Sequence, residues 1–391
     1  MASGRLGRLY WTALALGSCL LLGAIAAWGG WPLAADGRVA ITDFATVWAG
    51  GVRAVSGQGA LVYDLDLHEA YYAALIHQPA ANGLTFGYPP TALLLFAPFG
   101  LLPYGAALPV YLLLGAAAWF AALRGITRNA PVAIGMTFAF GGATQTILLG
   151  QNGFLSAAAI AGGLQLLPRR PHLAGVLFGL LAVKPHLGLA LAPFLLVRRE
   201  WAAIGSAAAT VGAMAGAATI LWGMDIWPQY FAASREIAAI VASRTDSIVA
   251  GKMQSVLAIL ADHLPLSAAL AVHALAALGA LGAVIALVRR RASHGVQAAG
   301  VIAATLLVTP YSFLYDCTML TAAAAFLLTR SMAQGERTLL LAAMVLPGLW
   351  FFTAEPFVPL VCAVILGLCW RLAAAPPTTA PGPSGPGAAL V

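Results

Sequence analysis

The sequence predicts an all-α fold, a polytopic transmembrane helical bundle of about 12 helices with a long loop after the first helix. Of its 391 residues, 61% are hydrophobic and only 8% are charged, whereas soluble domains carry about 25% charged residues. The apolar runs are roughly 15 to 25 residues long, which suits helices crossing a layer of about 30 Å better than the alternating strands of a barrel. The composition therefore excludes a soluble enzyme.

The positive charges predict how the helices are oriented. Fourteen of the 20 Lys and Arg residues fall at alternate helix ends on one side, and the other six fall on the opposite side. Because positive charge concentrates in cytoplasmic loops, we expect both termini inside and the loops 35–90 and 224–264 outside. The net charge of +7 thus reports orientation, and no nucleic-acid partner is expected.

Apolar runs and the breaks between them predict the helices in chain order. The predicted helices are 10–33, 91–123 with a break from Pro98 to Pro103, 131–149, 153–168, 172–183, 186–197, 201–223, 265–288, 296–309, 315–330, 338–353 and 357–371. The segments 172–183 and 186–197 are each too short to cross about 30 Å. They indicate a hairpin whose tip, Lys184-Pro185-His186, lies within the membrane or at a water-filled cavity.

The long outer loops and the tail complete the organisation. Helix-like patches from Asp64 to Gln78 and from Gln229 to Ser243 carry aromatic residues on one side, typical of helices that lie along the membrane interface. Residues 1–371 are expected to form one transmembrane domain. Residues 372–391 are rich in Ala, Pro, Thr and Gly and are expected to form a disordered cytoplasmic tail.

Asp43 stands at the start of the loop 35–90. Ordinary connections need only a handful of residues, so a loop this long in a membrane protein usually carries a reaction or a ligand. The alternative is that Asp43 caps a helix that starts at Thr42 or Asp43, as Asp often does.

Lys184 interrupts an apolar hairpin. An ionisable group within a membrane segment costs about 2.5–3.5 kcal/mol even on a lenient insertion scale, so a partner or an anionic ligand is expected. The alternative is that its long side chain reaches the outer headgroups.

Polar and aromatic residues also gather at predicted outer junctions. Pro310 breaks a helix and places Tyr311, Tyr315 and Asp316 near the mouth of the bundle. Their alternative interpretation is an aromatic interface belt in which Asp316 is an N-cap. Gln151-Asn152 closes another turn, which alone is only a turn, although amides suit sugar hydroxyls.

Several kinds of site have no support in the sequence. The seven His residues are scattered without an H-E-x-x-H motif, and the four Cys residues form no C-x-x-C pair, so no metal is expected. No Walker loop and no G-x-G-x-x-G motif is present, so a nucleotide donor has no support either. A membrane enzyme that works outside without a nucleotide must use a lipid-linked donor.

Taken together, the motifs resemble glycosyltransferase family 87. They are D-F at 43–44, W-A-G-G at 48–51, G-Q-G-A-L-V-Y-D at 57–64, Y-P-P at 88–90, A-P-F-G-L-L-P-Y at 97–104, G-Q-N-G at 150–153, L-L-A-V-K-P at 180–185, K-M-Q-S-V at 252–256 and T-P-Y-S-F-L-Y-D at 309–316. Described members include polyprenyl-phosphomannose-dependent α-1,2-mannosyltransferases of the GT-C type. Some members carry Trp and His where this chain has Tyr315-Asp316, so the resemblance implies the reaction class more directly than the acceptor.

The resemblance implies a role for each candidate residue. Asp43 would be the catalytic general base, and Lys184, Lys252 and Arg53 would bind the donor phosphate. The expected sugar-binding and acceptor-binding residues are Gln151, Asn152, Tyr311, Tyr315, Asp316, His186, Tyr88 and Gln254. No cofactor is expected beyond the lipid-linked donor itself.

The function expected from this resemblance is transfer of a hexose, with mannose favoured, from a polyprenyl-phosphate donor to a cell-envelope lipid or glycan. Transfer would take place at the outer face of a bacterial plasma membrane, with inversion at the anomeric carbon. A secondary transporter or lipid-linked-sugar flippase would also have broken helices and charges near the midplane. A non-catalytic partner of an envelope complex would tolerate loss of Asp43. The oligomeric state is left open.

Overall fold

The computed structural model describes residues 2–27, 42–77, 84–139, 141–243 and 251–374. Within these residues the chain is helical, apart from loops and an isolated antiparallel bridge between Met253 and Phe313. The α-helices are Ala2–Ala27, Phe44–Val55, Leu65–Leu75, Pro90–Gly100, Tyr104–Thr127, Ala130–Thr137, Gly142–Leu149, Gly153–Leu166, Pro171–Gly179, Leu191–Arg198, Trp201–Trp222, Ile226–Ser243, Val256–Leu260, Leu266–Arg289, His294–Val308, Leu320–Leu328, Gln334–Ala343, Leu346–Thr353 and Val358–Ala374. Short 3₁₀ helices occupy Gly59–Tyr63, Leu180–Val183, Pro185–Gly188 and Leu314–Met319.

These bounds confirm the all-α prediction and correct it in places. The predicted helix 131–149 is two helices that meet near Gly141, whose φ of +102° is outside the helical range. The predicted helix 338–353 is also two, and the second begins beside Pro347. The last helix runs to Ala374, into the predicted tail, and residues 375–391 lie outside the described residues.

Helix lengths fit a membrane protein. Five described helical segments are long and apolar enough to cross a bilayer, one of them being Gln334–Ala343 and Leu346–Thr353 counted together, and a bent pair can be counted as a sixth span. The five spans are Gly7–Ala27, Tyr104–Thr127, Trp201–Trp222, Leu266–Arg289 and Gln334–Thr353, and the bent pair is Ala130–Thr137 with Gly142–Leu149. Several other apolar helices are shorter, with 10–17 residues.

The hairpin predicted around Lys184 is visible in the packing of its first arm, Pro171–Gly179. A side chain added at Gly175 would meet the backbone of Ala203, and one added at Gly179 would meet Thr210. Because these positions increase together, the first arm runs parallel to the long helix that follows the hairpin. The chain between the two must therefore reverse direction, which places Lys184 at the reversal.

The residues after Asp43 have an aromatic core of their own. The Phe44–Val55 helix crosses the Pro90–Gly100 helix so closely that Gly51 and Gly100 face each other's backbone. Trp48 donates its indole N–H to the Leu102 carbonyl at 2.9 Å. These contacts explain the glycines of the W-A-G-G and A-P-F-G motifs and fix the Phe44–Val55 helix, at whose start Asp43 lies.

The two predicted interfacial patches are also helices, and they share this second core. Leu65–Leu75 packs on the Phe44–Val55 helix, and Ile226–Ser243 packs against the 3₁₀ helix Gly59–Tyr63. Tyr63 and Tyr230 meet edge to face, with ring centroids 5.6 Å apart. The described parts of the two long loops therefore pack against each other, although residues 28–41, 78–83 and 244–250 lie outside the described part.

Candidate active site

Asp43 does not cap its helix. Its side chain makes no capping hydrogen bond, and the Phe44 N–H instead donates to the Thr42 hydroxyl oxygen at 3.2 Å. The Thr42 hydroxyl also hydrogen-bonds the Tyr104 hydroxyl at 3.1 Å. Since Thr42 does the capping, the capping interpretation of Asp43 is wrong, and its carboxylate is available for contacts across the bundle.

Two residues far away in sequence hold the Asp43 carboxylate. The Gln151 amide donates to Oδ2 at 3.0 Å, and the Lys252 ammonium lies 3.4 Å from Oδ1. Tyr88 in turn donates its hydroxyl to the Gln151 side-chain oxygen at 2.8 Å. The Tyr63 hydroxyl donates to the Tyr88 carbonyl at 2.8 Å and so fixes the backbone at Tyr88.

The G-Q-N-G turn aims Gln151 at Asp43. Gly150 adopts a left-handed conformation with φ +64°, and a side chain there would come within 2.6 Å of Phe44. A side chain at Gly153 would come within 2.5 Å of the Tyr315 carbonyl. Because Gly150 and Gly153 carry no side chains, the turn can pack closely against Phe44 at one end and Tyr315 at the other. Gln151 lies between these two glycines in the chain.

Lys252 is fixed by its neighbours along the chain. The Gly251 carbonyl accepts the Trp350 indole N–H at 3.0 Å. The Gln254 N–H donates to the Ser312 carbonyl at 2.7 Å, and the Ser312 hydroxyl donates to the Gln254 carbonyl at 3.1 Å. This short pairing ties the K-M-Q-S motif to the T-P-Y-S-F motif and brings Lys252 to Asp43.

A second ion pair lies deeper in the site. The Lys184 ammonium is 2.5 Å from Asp316 Oδ1, and the two side chains are only 5% and 0% exposed. Asp316 Oδ2 accepts the Phe313 N–H at 3.1 Å, and the ammonium lies 4.4 Å from the centre of the Tyr315 ring. A protein carboxylate thus satisfies the partner that the sequence required for Lys184.

These contacts exclude two of the alternatives drawn from the sequence. A snorkelling lysine would end at the surface, whereas the Lys184 side chain is enclosed. Tyr315 and Asp316 are buried, so they do not form an interface belt. The capping idea holds in part, because Asp316 accepts the N–H of Phe313 at the start of its own 3₁₀ helix.

Two tyrosines connect the two ion pairs. Tyr88 and Tyr315 each lie near both Asp43 and Asp316, and near one another. The carboxylates, the lysines and the phenols therefore form one cluster, built from the start of the first outer loop, the Tyr88 segment, the G-Q-N-G turn, the hairpin tip and the junction after Pro310.

Unsatisfied amides lie within this cluster. The side-chain nitrogen and oxygen atoms of Asn152 and Gln254 are buried without a well-formed hydrogen bond, as is Nε2 of His186. The Tyr88 hydroxyl lies beside the Asn152 amide but donates to Gln151. Buried polar groups are normally paired, so each such group calls for a ligand or water. An amide supplies donors and an acceptor together, which matches a sugar hydroxyl.

Two predicted site residues are not hydrogen-bonded to this cluster in the described structure. Arg53 is ten residues after Asp43 on the same helix, which is about 15 Å along the axis, and it donates to the Leu67 carbonyl at 3.2 Å and stacks on Tyr71 at 4.0 Å. The geometry therefore does not support Arg53 as a phosphate ligand. Tyr311 is half-buried in its turn and makes no hydrogen bond to the other predicted site residues in the described structure.

The sequence missed the residues that support the site. Thr42 and Tyr104 take over the helix cap, Tyr63 secures Tyr88, and Ser312 holds the Lys252 segment. Tyr63 and Tyr104 lie within motifs quoted above, at 57–64 and 97–104, so an aromatic residue at the end of a motif was the available signal.

One cleft of the described structure lies apart from this cluster. It has a volume of about 660 Å³ and is lined by Met332, Glu336, Trp370, Arg371 and neighbouring residues. None of the predicted site residues lines it. Within the described part of the chain, no group of three or more His, Cys, Asp or Glu residues could hold a metal ion.

Comparison with known proteins places the chain in a family. No curated protein and no solved structure matches it. The sequence model of glycosyltransferase family 87 matches residues 86–310, more than half of the chain, and this range includes Tyr88, Gln151, Lys184 and Lys252. Asp43 and Asp316 lie outside the matched range, but each contacts residues within it: Asp43 contacts Gln151 and Lys252, and Asp316 contacts Lys184. The protein is a membrane glycosyltransferase that belongs to glycosyltransferase family 87.

Proposed function

We propose that this protein transfers a hexose, with mannose favoured, from a polyprenyl-phosphate donor to a hydroxyl of a cell-envelope lipid or glycan. The reaction takes place at the outer face of a bacterial plasma membrane, with both termini in the cytoplasm. The Asp43 carboxylate supports this proposal, because it makes no helix-capping hydrogen bond. It instead contacts Gln151 and Lys252, which belong to a cluster of lysines, phenols and amides.

The proposed chemistry needs one base and one cation. Asp43 removes the proton of the acceptor hydroxyl while the hydroxyl oxygen forms its bond to the anomeric carbon. The bond between that carbon and the phosphate oxygen breaks on the opposite face, so the configuration inverts. The polyprenyl phosphate leaves with the electron pair of that bond, and a nearby lysine stabilises its charge.

The unpaired amides fit the sugar. Asn152 and Gln254 lie on the two segments that flank Asp43, the G-Q-N-G turn and the Lys252 segment. Their donors and acceptors can bind hydroxyls on either side of the anomeric carbon. Gln151, Tyr88, His186, Tyr315 and Asp316 complete the proposed lining, whereas Tyr311 and Arg53 lie outside the hydrogen-bonded cluster.

A flippase or transporter for lipid-linked sugars is the second candidate. The hairpin with a buried Lys184–Asp316 pair favours it, since broken helices with enclosed charges are typical of transporters. Such a protein would need no base at Asp43.

A transfer assay separates the two candidates. Purified protein is incubated with labelled polyprenyl-phosphate mannose or glucose and a membrane-lipid extract, and the label is followed into the extract. Label that moves with wild-type protein but not with Asp43→Asn supports the transferase. Label that never leaves the donor, together with uptake of that donor across a vesicle membrane, supports the flippase.

A further inference from the structure

The two ion pairs of the site differ in how firmly they are closed. Lys252 and Asp43 are 3.4 Å apart, and their side chains are 18% and 15% exposed. Lys184 and Asp316 are 2.5 Å apart and almost fully enclosed, and Asp316 is also held by a backbone N–H. An incoming anion can therefore reach Lys252, whereas Lys184 is enclosed with its carboxylate partner.

We propose that Lys252, and not Lys184, is the cation that binds the donor phosphate, and that it leaves Asp43 to do so. This inference rests on the proposed function and assigns its phosphate subsite. Lys184 becomes a positioning residue, which acts through Asp316 and holds the hairpin tip against the junction after Pro310.

The cost of opening each pair decides between the two lysines. The more exposed and more widely separated Lys252–Asp43 pair contributes less net stability than the enclosed pair, because water competes for its charges. Opening an enclosed pair leaves an uncompensated charge in a place that water does not reach. A phosphate can therefore take Lys252 from Asp43 at small cost, whereas taking Lys184 would strand Asp316.

The local structure allows Lys252 to make this exchange. Its backbone is anchored on both sides, at Gly251 by Trp350 and at Gln254 by Ser312. The ammonium is carried on a flexible four-carbon stem, so it can turn from carboxylate to phosphate without movement of the backbone.

The exchange has a consequence for Asp43. When Lys252 turns to the phosphate, Oδ1 of Asp43 loses its partner, while Oδ2 keeps the Gln151 amide. The uncovered oxygen can then accept the hydrogen bond of an acceptor hydroxyl. Arrival of the donor thus prepares the base, and the acceptor hydroxyl is engaged only after the donor phosphate is in place.

The test measures equilibrium binding of a fluorescent short-chain polyprenyl phosphate, which carries no sugar, to the full-length protein in detergent. Lys252→Gln should weaken binding about 10- to 100-fold, as expected for loss of one charge-assisted hydrogen bond, and Lys252→Arg should retain most of it. Asp43→Asn should tighten binding, because Lys252 no longer has a competing carboxylate. This gain should vanish in the double variant Asp43→Asn with Lys252→Gln.

The paired variant Lys184→Gln with Asp316→Asn is the matched comparison, since it removes an ion pair of the same kind and leaves no stranded charge. It should weaken binding less than Lys252→Gln does. If the paired variant abolishes binding and Lys252→Gln does not, the inference is overturned while the transferase proposal stands. If wild-type protein does not bind polyprenyl phosphate at all, the proposed donor class fails and the inference fails with it.

Discussion

At the scale of single residues, the fold can lose the Asp43 charge without losing a helix cap. Thr42 performs the capping, and the Gln151 amide can donate to the side-chain oxygen of an asparagine as it does to the carboxylate. Asp43→Asn should therefore leave the melting temperature close to that of wild type. Turnover should fall by about 10²- to 10⁴-fold, the usual contribution of a positioned base. Initial rates of label transfer measure this.

The same loop supplies a control for this substitution. Asp64 caps the Leu65–Leu75 helix by accepting the Leu67 N–H at 3.0 Å, and asparagine caps as well as aspartate. Asp64→Asn should keep both stability and turnover. Transfer by Asp43→Asn at a rate near wild type would remove Asp43 from the mechanism.

The pairing of Lys184 with Asp316 leads to a stability prediction. Lys184→Met leaves the Asp316 carboxylate buried without a counter-charge and should destabilise the protein by about 3–5 kcal/mol. The double variant Lys184→Met with Asp316→Asn removes both charges and should recover much of that loss. Thermal unfolding in detergent measures the three proteins, with Lys252→Met as the control from the more exposed pair. Equal melting temperatures for the single and double variants would show that the Lys184–Asp316 pair does not stabilise the hairpin tip.

The sequence indicates which residue types can do chemistry, but not which of them meet. Asp43 and Lys252 are 209 positions apart, and Asp43 and Gln151 are 108 apart, so no spacing rule connects them. Arg53 shows the opposite error, because it is close to Asp43 in sequence but directed away from it along the helix. Proximity along the chain says little where separate helices build the site.

At the scale of elements, His68 docks the Leu65–Leu75 helix onto the helix that begins after Asp43. Its Nε2 lies 3.0 Å from both the carbonyl and the hydroxyl oxygen of Thr46, and its Nδ1 is buried without a partner. The pKa of His68 is lowered from 6.5 to about 4, mainly by burial; the hydrogen bond to Thr46 opposes this shift, and the nearby Arg53 charge adds to it. This ring is therefore neutral when the helix is docked.

The lowered pKa of His68 predicts a pH-dependent stability. Between pH 6.5 and about 4 the unfolded chain binds a proton at His68 that the folded protein does not, so stability should fall as the pH falls through this window. The contribution is at most about 3 kcal/mol. Melting temperatures of wild type and His68→Gln should converge toward low pH. The exposed His77 is the control, and a similar convergence for His77→Gln would contradict this role.

One helix break was predicted from the prolines that mark it, and others were missed. The break between Gly100 and Tyr104 follows from Pro103 and was predicted. The break after Thr137 was not, because the apolar run continues across it and the turn depends on the backbone conformation of Gly141. The 3₁₀ start of the helix after Phe313 was missed because it follows from the Asp316 contacts.

At the scale of the whole molecule, orientation in the membrane stays a prediction from the charges. Ser56 and Ser331 are both exposed and lie at ends of the molecule that the arginine distribution assigns to opposite faces. In a Cys19→Ser background, which removes the exposed native thiol, Ser56→Cys should react with an impermeant maleimide in intact cells. Ser331→Cys should react only after permeabilisation. Labelling of both from outside would overturn the orientation.

The hairpin around Lys184 also constrains how the chain is assembled during synthesis. Neither arm is long enough to cross a bilayer by itself, so the two arms must enter the membrane together. The carboxylate that neutralises Lys184 is made 132 residues later, which at about 5–20 residues per second is a delay of roughly ten seconds. Until then the Lys184 ammonium at the hairpin tip has no counter-charge, which keeps the tip in contact with water. Seating of the hairpin is therefore a late event, completed only when the Asp316 segment has left the ribosome.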